Sequence, residues 1–66
     1  MRVSVNRDPV ELDDGTSVAG LLETLGRDGR GVAVAVNEEV VPRSTWTDVA
    51  LGAGDRVEVL VAAQGG

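Results

Sequence analysis

The chain has 66 residues, a formal net charge of −5, and no cysteine, histidine, lysine or tyrosine. A domain this small buries only roughly 60% of its unfolded surface, which leaves no room for a substrate pocket of enzyme size. The missing residue types exclude the usual nucleophiles, the neutral-pH base and the soft metal ligands, so the composition predicts a protein that is not an enzyme and holds no metal.

The charge balance also restricts the partners. Nucleic acids and anionic membranes are held mainly by lysine and arginine, so neither is expected to bind this acidic chain. A protein with a basic face is the natural complement. The first ten residues contain no apolar signal segment, and no stretch approaches the ~20 apolar residues of a membrane-spanning helix, which favours a cytoplasmic location.

The first twelve residues predict an antiparallel hairpin. Apolar and polar residues alternate through Met1–Asn6, with Val3 and Val5 on one face, as in a half-buried strand. The stretch Arg7-Asp8-Pro9 predicts the turn, because proline fixes φ and disfavours the helical region for the residue before it. The alternation then resumes through Val10 and Leu12, the second strand.

The period changes in the next segment, which predicts one amphipathic helix. Its apolar stripe consists of Val18, Leu21, Leu22 and Leu25. Thr16 or Ser17 is available as the N-cap, and Gly26 is placed to end the helix in the left-handed conformation. Gly20 lies inside the helix, where glycine costs about 1 kcal/mol relative to alanine, so a close approach to the sheet is expected there.

The remaining elements follow a loop of glycine and charge, GRDGRG. The alternation and turn signals predict an inner strand at residues 32–36, a turn at 37–39 and a short edge strand at 40–43 that is stopped by Pro42. They then predict a helical turn at 44–51 with Trp46 facing inward, a tight turn at 52–55 and a last strand at 56–63. The last strand places Val57, Val59 and Val61 on one face.

A single helix covers only one face of such a sheet, so the other face meets water or another protein. On that other face the last strand presents Glu58 and Leu60, and the inner strand presents Ala33 and Ala35. If the two strands pair, these residues form a small apolar patch ringed by charge, a candidate partner interface. Arg43 is a further interface candidate, with a local salt bridge as the alternative.

The chain closes on Gly65 and Gly66, directly after a regular strand. Glycine loses more backbone freedom on ordering than any other residue, so two of them do not stabilise a terminus. The tail is therefore either without a role, as a frayed end would be, or is required to be thin and adaptable.

The whole sequence resembles the thiamine-biosynthesis sulfur carrier proteins (ThiS), which are β-grasp, ubiquitin-like domains. The resemblance rests on Val36-Asn37, Val41-Pro42-Arg43 with Trp46, Gly54-Asp55-Arg56-Val57-Glu58 and the final Gly65-Gly66. It implies an α+β fold: a mixed sheet of four to five strands with one main helix packed on one face. It also implies a β-grasp domain over residues 1–62 and a flexible diglycine tail over residues 63–66. Members often carry a short apolar residue or a third glycine before the diglycine, where this chain has Ala63-Gln64.

The resemblance also implies a chemistry for the tail, formed by Gln64, Gly65 and Gly66. An E1-like (ThiF-like) enzyme would use ATP to adenylate the Gly66 carboxylate, and a sulfur donor would convert it to a thiocarboxylate. A thiazole synthase (ThiG-like) would then take the sulfur to build the thiazole ring of thiamine. The carrier itself would bind no cofactor, since the partner consumes the ATP and the sulfur donor.

Other functions remain open at this point. A molybdopterin synthase small subunit (MoaD-like) shares the fold and the thiocarboxylate, although such chains tend to be longer and richer in aromatic residues. A ubiquitin-like protein modifier would use the same terminus without sulfur, and a plain interaction domain would not use it. A calcium loop at Asp13-Asp14-Gly15 is disfavoured because the further acidic ligands and the distal glutamate are missing.

Overall fold

The computed structural model describes residues 1–61, which form five strands, one α-helix and one short 3₁₀ helix. In chain order the elements are β1 (Arg2–Val5), β2 (Asp8–Glu11), α1 (Val18–Thr24), β3 (Val32–Val36), β4 (Glu39–Val40), the 3₁₀ helix (Arg43–Thr45) and β5 (Arg56–Val61). The predicted boundary between a domain of residues 1–62 and a tail of residues 63–66 lies outside the described residues and stays a prediction.

The five strands form one mixed sheet in the order β2-β1-β5-β3-β4. β1 and β5 are parallel, whereas the other three pairs are antiparallel. The last strand is thus the central one, and β3 is an inner strand as its two apolar faces predicted. The α+β prediction, a mixed sheet with one main helix, is confirmed.

The two hairpin turns have the same backbone conformation, and the first lies earlier than predicted. Asn6 and Arg7 both have positive φ, 50° and 76°, and Asn37 and Glu38 repeat this with 51° and 72°. Positive φ at both central residues is the type I′ geometry, whose twist matches that of the strands. Asp8 and Pro9 therefore belong to β2, where the proline is tolerated because β2 is an edge strand.

The helix follows its sequence signals closely. The Ser17 hydroxyl accepts a hydrogen bond from the Gly20 amide (3.0 Å), and Gly26 has φ of 74°. The amide of Arg27 bonds the carbonyl of Leu22 (2.9 Å), which completes a Schellman motif. Leu25, the last residue of the predicted apolar stripe, is 36% exposed because it lies in the turn after the helix.

The expected reason for Gly20 is wrong. A Cβ at this position would lie 3.1 Å from the Thr16 methyl carbon and 3.5 Å from the Ser17 hydroxyl oxygen, so Gly20 contacts the first turn of its own helix instead of the sheet. The small residue leaves space for the side chains that begin the helix. The Thr16 hydroxyl bonds the carbonyl of Asp13 (2.6 Å), so the Asp13-Asp14-Gly15 segment forms the predicted turn.

The segment after β3 contains the predicted short strand and helical turn, but their first and last residues differ from the prediction. β4 is the predicted short edge strand, but it spans Glu39–Val40, and Val41 is buried beyond it. Trp46 ends the 3₁₀ helix and is only 7% exposed, with its indole nitrogen donating to the Val41 carbonyl (2.9 Å). Its own carbonyl accepts from the amide of Ala19 (3.1 Å), so this segment also caps the start of α1.

The core lies between the helix and one face of the sheet. Its members are the apolar residues that each element turns inward: Val3, Val5, Leu12, Val18, Leu21, Leu22, Val34, Val41, Trp46, Leu51, Val57 and Val59. No polar or charged side chain among the described residues is buried. Within residues 1–61 no helix is long and apolar enough to cross a membrane, and no group of acidic, histidine or cysteine side chains is placed to hold a metal ion.

Gly29 packs against Trp46 in a way that the sequence did not reveal. It is buried, has φ of 85°, and a Cβ added there would lie 3.0 Å from Cζ3 of the indole ring. The loop of glycine and charge is therefore fastened to the core at this one glycine.

Replacing Gly29 with alanine should destabilise the fold more than the same change at Gly26. Both residues have positive φ, which costs an L-residue about 1–2 kcal/mol, but the space around Gly26 is empty. Displacing the ring should add about 1–3 kcal/mol at Gly29 alone. Urea unfolding followed by Trp46 fluorescence measures the difference. Equal losses for Gly29→Ala and Gly26→Ala would contradict the packing argument.

Candidate functional site

β5 is the strand that leads directly to the closing segment of the chain. It is central in the sheet, with β1 on one side and β3 on the other. The two neighbouring strands pair with β5 over different lengths. Pairing with β1 ends at Val5↔Val57, whereas pairing with β3 continues to Val32↔Val61. The candidate site residues Gln64, Gly65 and Gly66 lie beyond Val61, outside the described residues.

Asn6 holds β5 where the backbone of β1 turns away. Its backbone amide donates to the carbonyl of Val57 (2.9 Å). Its side-chain oxygen accepts from the Val59 amide (2.9 Å), and its side-chain nitrogen donates to the Val59 carbonyl (3.1 Å). The carboxamide thus takes the place of a peptide group in a neighbouring strand.

Asn37 makes the corresponding hydrogen bonds at the start of β5. Its side-chain oxygen accepts from the amide of Arg56 (3.0 Å), its backbone amide donates to the Arg56 carbonyl (2.7 Å), and its side-chain nitrogen donates to the Asp55 carboxylate (3.1 Å). Both asparagines occupy the first of the two central positions of a type I′ turn, where asparagine tolerates positive φ better than most residues. The two turns therefore hold the first part of the central strand, at Arg56, Val57 and Val59.

The helix-free face of the sheet carries an apolar patch. Ala33 lies opposite Leu60, and Ala35 lies opposite both Glu58 and Val40, and residues directly opposite each other share a face. Leu60 is 59% exposed and Val40 is 76% exposed. Ala33, Ala35, Val40 and Leu60 are called the open-face patch below. The strand pairing on which its prediction depended is present, whereas an interface role for these residues stays a prediction.

Charged groups border the patch. Glu58 is exposed beside Ala35, and Arg56 forms an ion pair with Glu38 on the β3–β4 turn (3.5 Å between nitrogen and oxygen). An open depression of about 360 Å³ lies next to these residues, with Ser4, Asn6, Arg7 and Val57 completing its lining. Small-molecule sites are mainly apolar, so this charged lining fits the rim of a protein interface better than a substrate pocket.

Arg43 lies apart from the strand pairs that form the patch. Its guanidinium carbon is 5.5 Å from the centroid of the Trp46 ring, close enough for a cation–π contact. Among the described residues it makes no ion pair, so the salt bridge offered as its alternative role is not formed there. An interface role for Arg43 stays a prediction.

Three residues of this region were missed by the sequence reasoning. Val40 joins the patch because β4 presents it on the face opposite the buried Val41, and the alternation of the two valines was the available signal. Asn6 and Asn37 gave only a weak signal, an asparagine at each hairpin. The bond from Asn6 to Val59 joins residues 53 positions apart, which no local pattern reveals.

Comparison with known proteins shows which family has this sequence pattern and fold. The model of the ThiS family matches residues 3–66, nearly the whole chain. The chain belongs to the ThiS family. A crystal structure of the thiamine biosynthesis protein ThiS from Geobacter metallireducens is similar, with a TM-score of 0.86 and 32% identity over the full length of both chains. The ThiS resemblance and the β-grasp-type fold predicted from the sequence are therefore confirmed.

Curated relatives are of two lengths. The sulfur carrier protein ThiS of Escherichia coli (strain K12) is 30% identical over the full length of both proteins. Thiazole synthases of Paramagnetospirillum magneticum and Magnetococcus marinus are 36% and 38% identical over all 66 residues of this chain. The chain spans only 20% of the length of those two relatives, so each thiazole synthase contains a region similar to this ThiS-family domain.

Proposed function

We propose that this protein is a sulfur carrier for thiamine biosynthesis, with the carboxylate of Gly66 as the group that is adenylated and converted to a thiocarboxylate. The observation that carries the proposal is the ThiS-family match over residues 3–66, which includes the closing diglycine. The Escherichia coli relative, matched over its whole length, is named a sulfur carrier protein, which supports a carrier function instead of a catalytic one.

The chemistry required is activation of a poor acyl donor. A carboxylate is ionised at neutral pH and resists attack by a sulfur nucleophile. When it attacks the α-phosphate of ATP, pyrophosphate leaves and an acyl-adenylate forms. A persulfide sulfur then displaces AMP to give an acyl disulfide, and a thiol cleaves the S–S bond by supplying two electrons. The products are a thiocarboxylate and a second disulfide, with the transferred sulfur now a nucleophile.

The described residues supply the rigid part of this carrier. β5 is central in the sheet and pairs with β1 on one side and β3 on the other, so the segment that follows Val61 begins from a fixed point. Four residues beyond Ala62 can extend about 13 Å at roughly 3.3 Å per residue, enough to carry a carboxylate into a partner's active site. Glycine at the last two positions suits a narrow channel, because it has no side chain and few backbone restrictions.

Two partners follow from this function: an E1-like adenylating enzyme and a thiazole synthase. The thiazole synthases that contain a region similar to this chain support the second, since a carrier and the enzyme that consumes its cargo gain from being joined. The proposal of an adenylating enzyme as the first partner rests on the chemistry of the carboxylate, which must be activated before sulfur can attack it. The open-face patch is that enzyme's docking surface, because β5 carries both Leu60 and the segment that leads to Gly66.

Intact-mass spectrometry tests the proposal. The protein is incubated with the adenylating enzyme of its organism, ATP and a sulfur donor, and the expected result is a mass increase equal to replacement of one oxygen by sulfur. Omitting ATP should leave the mass unchanged. If the mass stays constant while the same enzyme preparation thiocarboxylates a ThiS relative, the proposed function is wrong.

The alternative functions predict other products. A protein modifier would form ATP-dependent conjugates of higher mass through lysine isopeptide bonds, and a plain interaction domain would not change at all. The molybdopterin alternative would give the same thiocarboxylate but deliver its sulfur to a pterin precursor. The matched relatives reported above are ThiS proteins and thiazole synthases, so they favour the thiazole route. A cytoplasmic location stays a prediction.

A further inference from the structure

The end of β5 is supported unequally by its two neighbours. On the β3 side, backbone pairing reaches Val61. On the β1 side, the last paired residue is Val57, because β1 ends at Val5 and the chain enters the hairpin turn at Asn6. Beyond Val57, the only hydrogen bonds to β5 from the β1 side among the described residues come from the Asn6 carboxamide, at Val59.

That contact is a two-point clamp. One side-chain atom of Asn6 accepts from the Val59 amide and another donates to the Val59 carbonyl, at 2.9 and 3.1 Å. Two hydrogen bonds from one planar amide fix both the position and the tilt of the residue they hold. A carboxylate of the same shape would keep the acceptor for the amide but would lose the donor and place negative charge against the carbonyl oxygen.

We propose that Asn6 is a positioning residue for sulfur transfer: by clamping Val59, it sets the direction in which the chain leaves the sheet toward the reacting carboxylate of Gly66. The inference rests on the proposed function. Gly66 lies only seven positions after Val59, so a shift of the strand at the clamp moves the point from which the closing segment starts. Without the clamp, β5 beyond Val57 is held by the pairing with β3 alone, so the adenylating enzyme must select the competent position of the strand from several, which weakens apparent affinity in proportion to the competent fraction.

Asn37 provides a matched control. It occupies the same position of the same type of turn, and its carboxamide also bonds the backbone of β5, but at Arg56 where the strand begins. Replacing either asparagine with glycine keeps positive φ accessible, removes one carboxamide and adds the same backbone freedom. The two variants should therefore lose similar stability. Their main difference is where β5 loses its side-chain hydrogen bonds, at Val59 in one variant and at Arg56 in the other.

The experiment measures ATP–pyrophosphate exchange by the adenylating enzyme with wild-type, Asn6→Gly and Asn37→Gly carriers, well below their unfolding temperatures. For Asn6→Gly we expect the KM for the carrier to rise roughly tenfold with kcat nearly unchanged, since the carboxylate reacts normally once it is placed. Asn37→Gly should stay within about twofold of wild type. Asn6→Asp should fall between them, because it keeps the acceptor for the Val59 amide.

Amide hydrogen exchange of the free carriers checks the clamp itself. The Val59 amide should exchange about tenfold faster in Asn6→Gly and at the wild-type rate in Asn37→Gly. Equal KM values for the two glycine variants, with an active wild type, would overturn the positioning role, as would a Val59 amide that exchanges no faster without Asn6. A wild-type carrier that is never adenylated would instead overturn the proposed function.

Discussion

Removing Gly65 and Gly66 is expected to abolish thiocarboxylate formation while leaving the stability of the folded domain unchanged. The shortened chain still ends in a carboxylate, that of Gln64, but the reacting group lies about 7 Å short at roughly 3.3 Å per residue. Misplacement by as little as about 1 Å can cost roughly 100-fold in rate, so conversion should fall below detection. The core described within residues 1–61 is left intact by this deletion, so the unfolding transition should not move.

Single substitutions distinguish the length of the tail from the width of the partner's channel as the cause of lost conversion. Gly65→Ala keeps the length and adds one methyl group, so a large loss of conversion would show that the partner's channel is narrow. Gln64→Ala is the matched control, because it changes a side chain next to the diglycine without altering length or the glycines, and it should convert at nearly the wild-type rate. Intact-mass spectrometry reads all three variants. Wild-type conversion of the chain lacking Gly65 and Gly66 would contradict the assignment of Gly66.

The elements were predictable where one local signal dominates. Val18, Leu21 and Leu22 of the apolar stripe, the Ser17 cap and the left-handed Gly26 appear as expected, whereas Leu25 lies in the turn after the helix. The first turn was misplaced because Asp8-Pro9 is a strong local turn signal, whereas Asn6-Arg7 lacks the glycine that usually marks a type I′ turn. The observed turn at Asn6 and Arg7 has the type I′ conformation, whose twist matches that of the paired strands.

The candidate site was predictable only in part for a similar reason. Alternation placed Leu60, Ala33 and Ala35 on one face, and the β3–β5 pairing brings them together. The clamp by Asn6 requires that β1 and β5 be parallel neighbours, and the contact of Gly29 with Trp46 requires that a loop fold back over the core. Such contacts depend on the tertiary arrangement, which strand and helix periods do not encode.

The open-face patch should bind the adenylating enzyme through Leu60. This side chain is 59% exposed at the end of β5, the strand that leads to the reacting terminus, so an enzyme that takes the terminus must approach it. Leu60→Asp should raise the KM for the carrier about 30-fold, the equivalent of losing a contact of about 2 kcal/mol. Its unfolding free energy should change little, since no core contact is removed.

Val61→Asp is the control for Leu60→Asp. Val61 is the next residue, is 61% exposed, and faces the other side of the sheet, opposite Val32. The two variants carry the same added charge at adjacent positions of the chain, so any general repulsion from the enzyme affects both about equally. A docking surface on the helix-free face requires that Leu60→Asp raise KM much more than Val61→Asp does. Equal effects would mean that charge near the terminus, and not the open-face patch, controls binding.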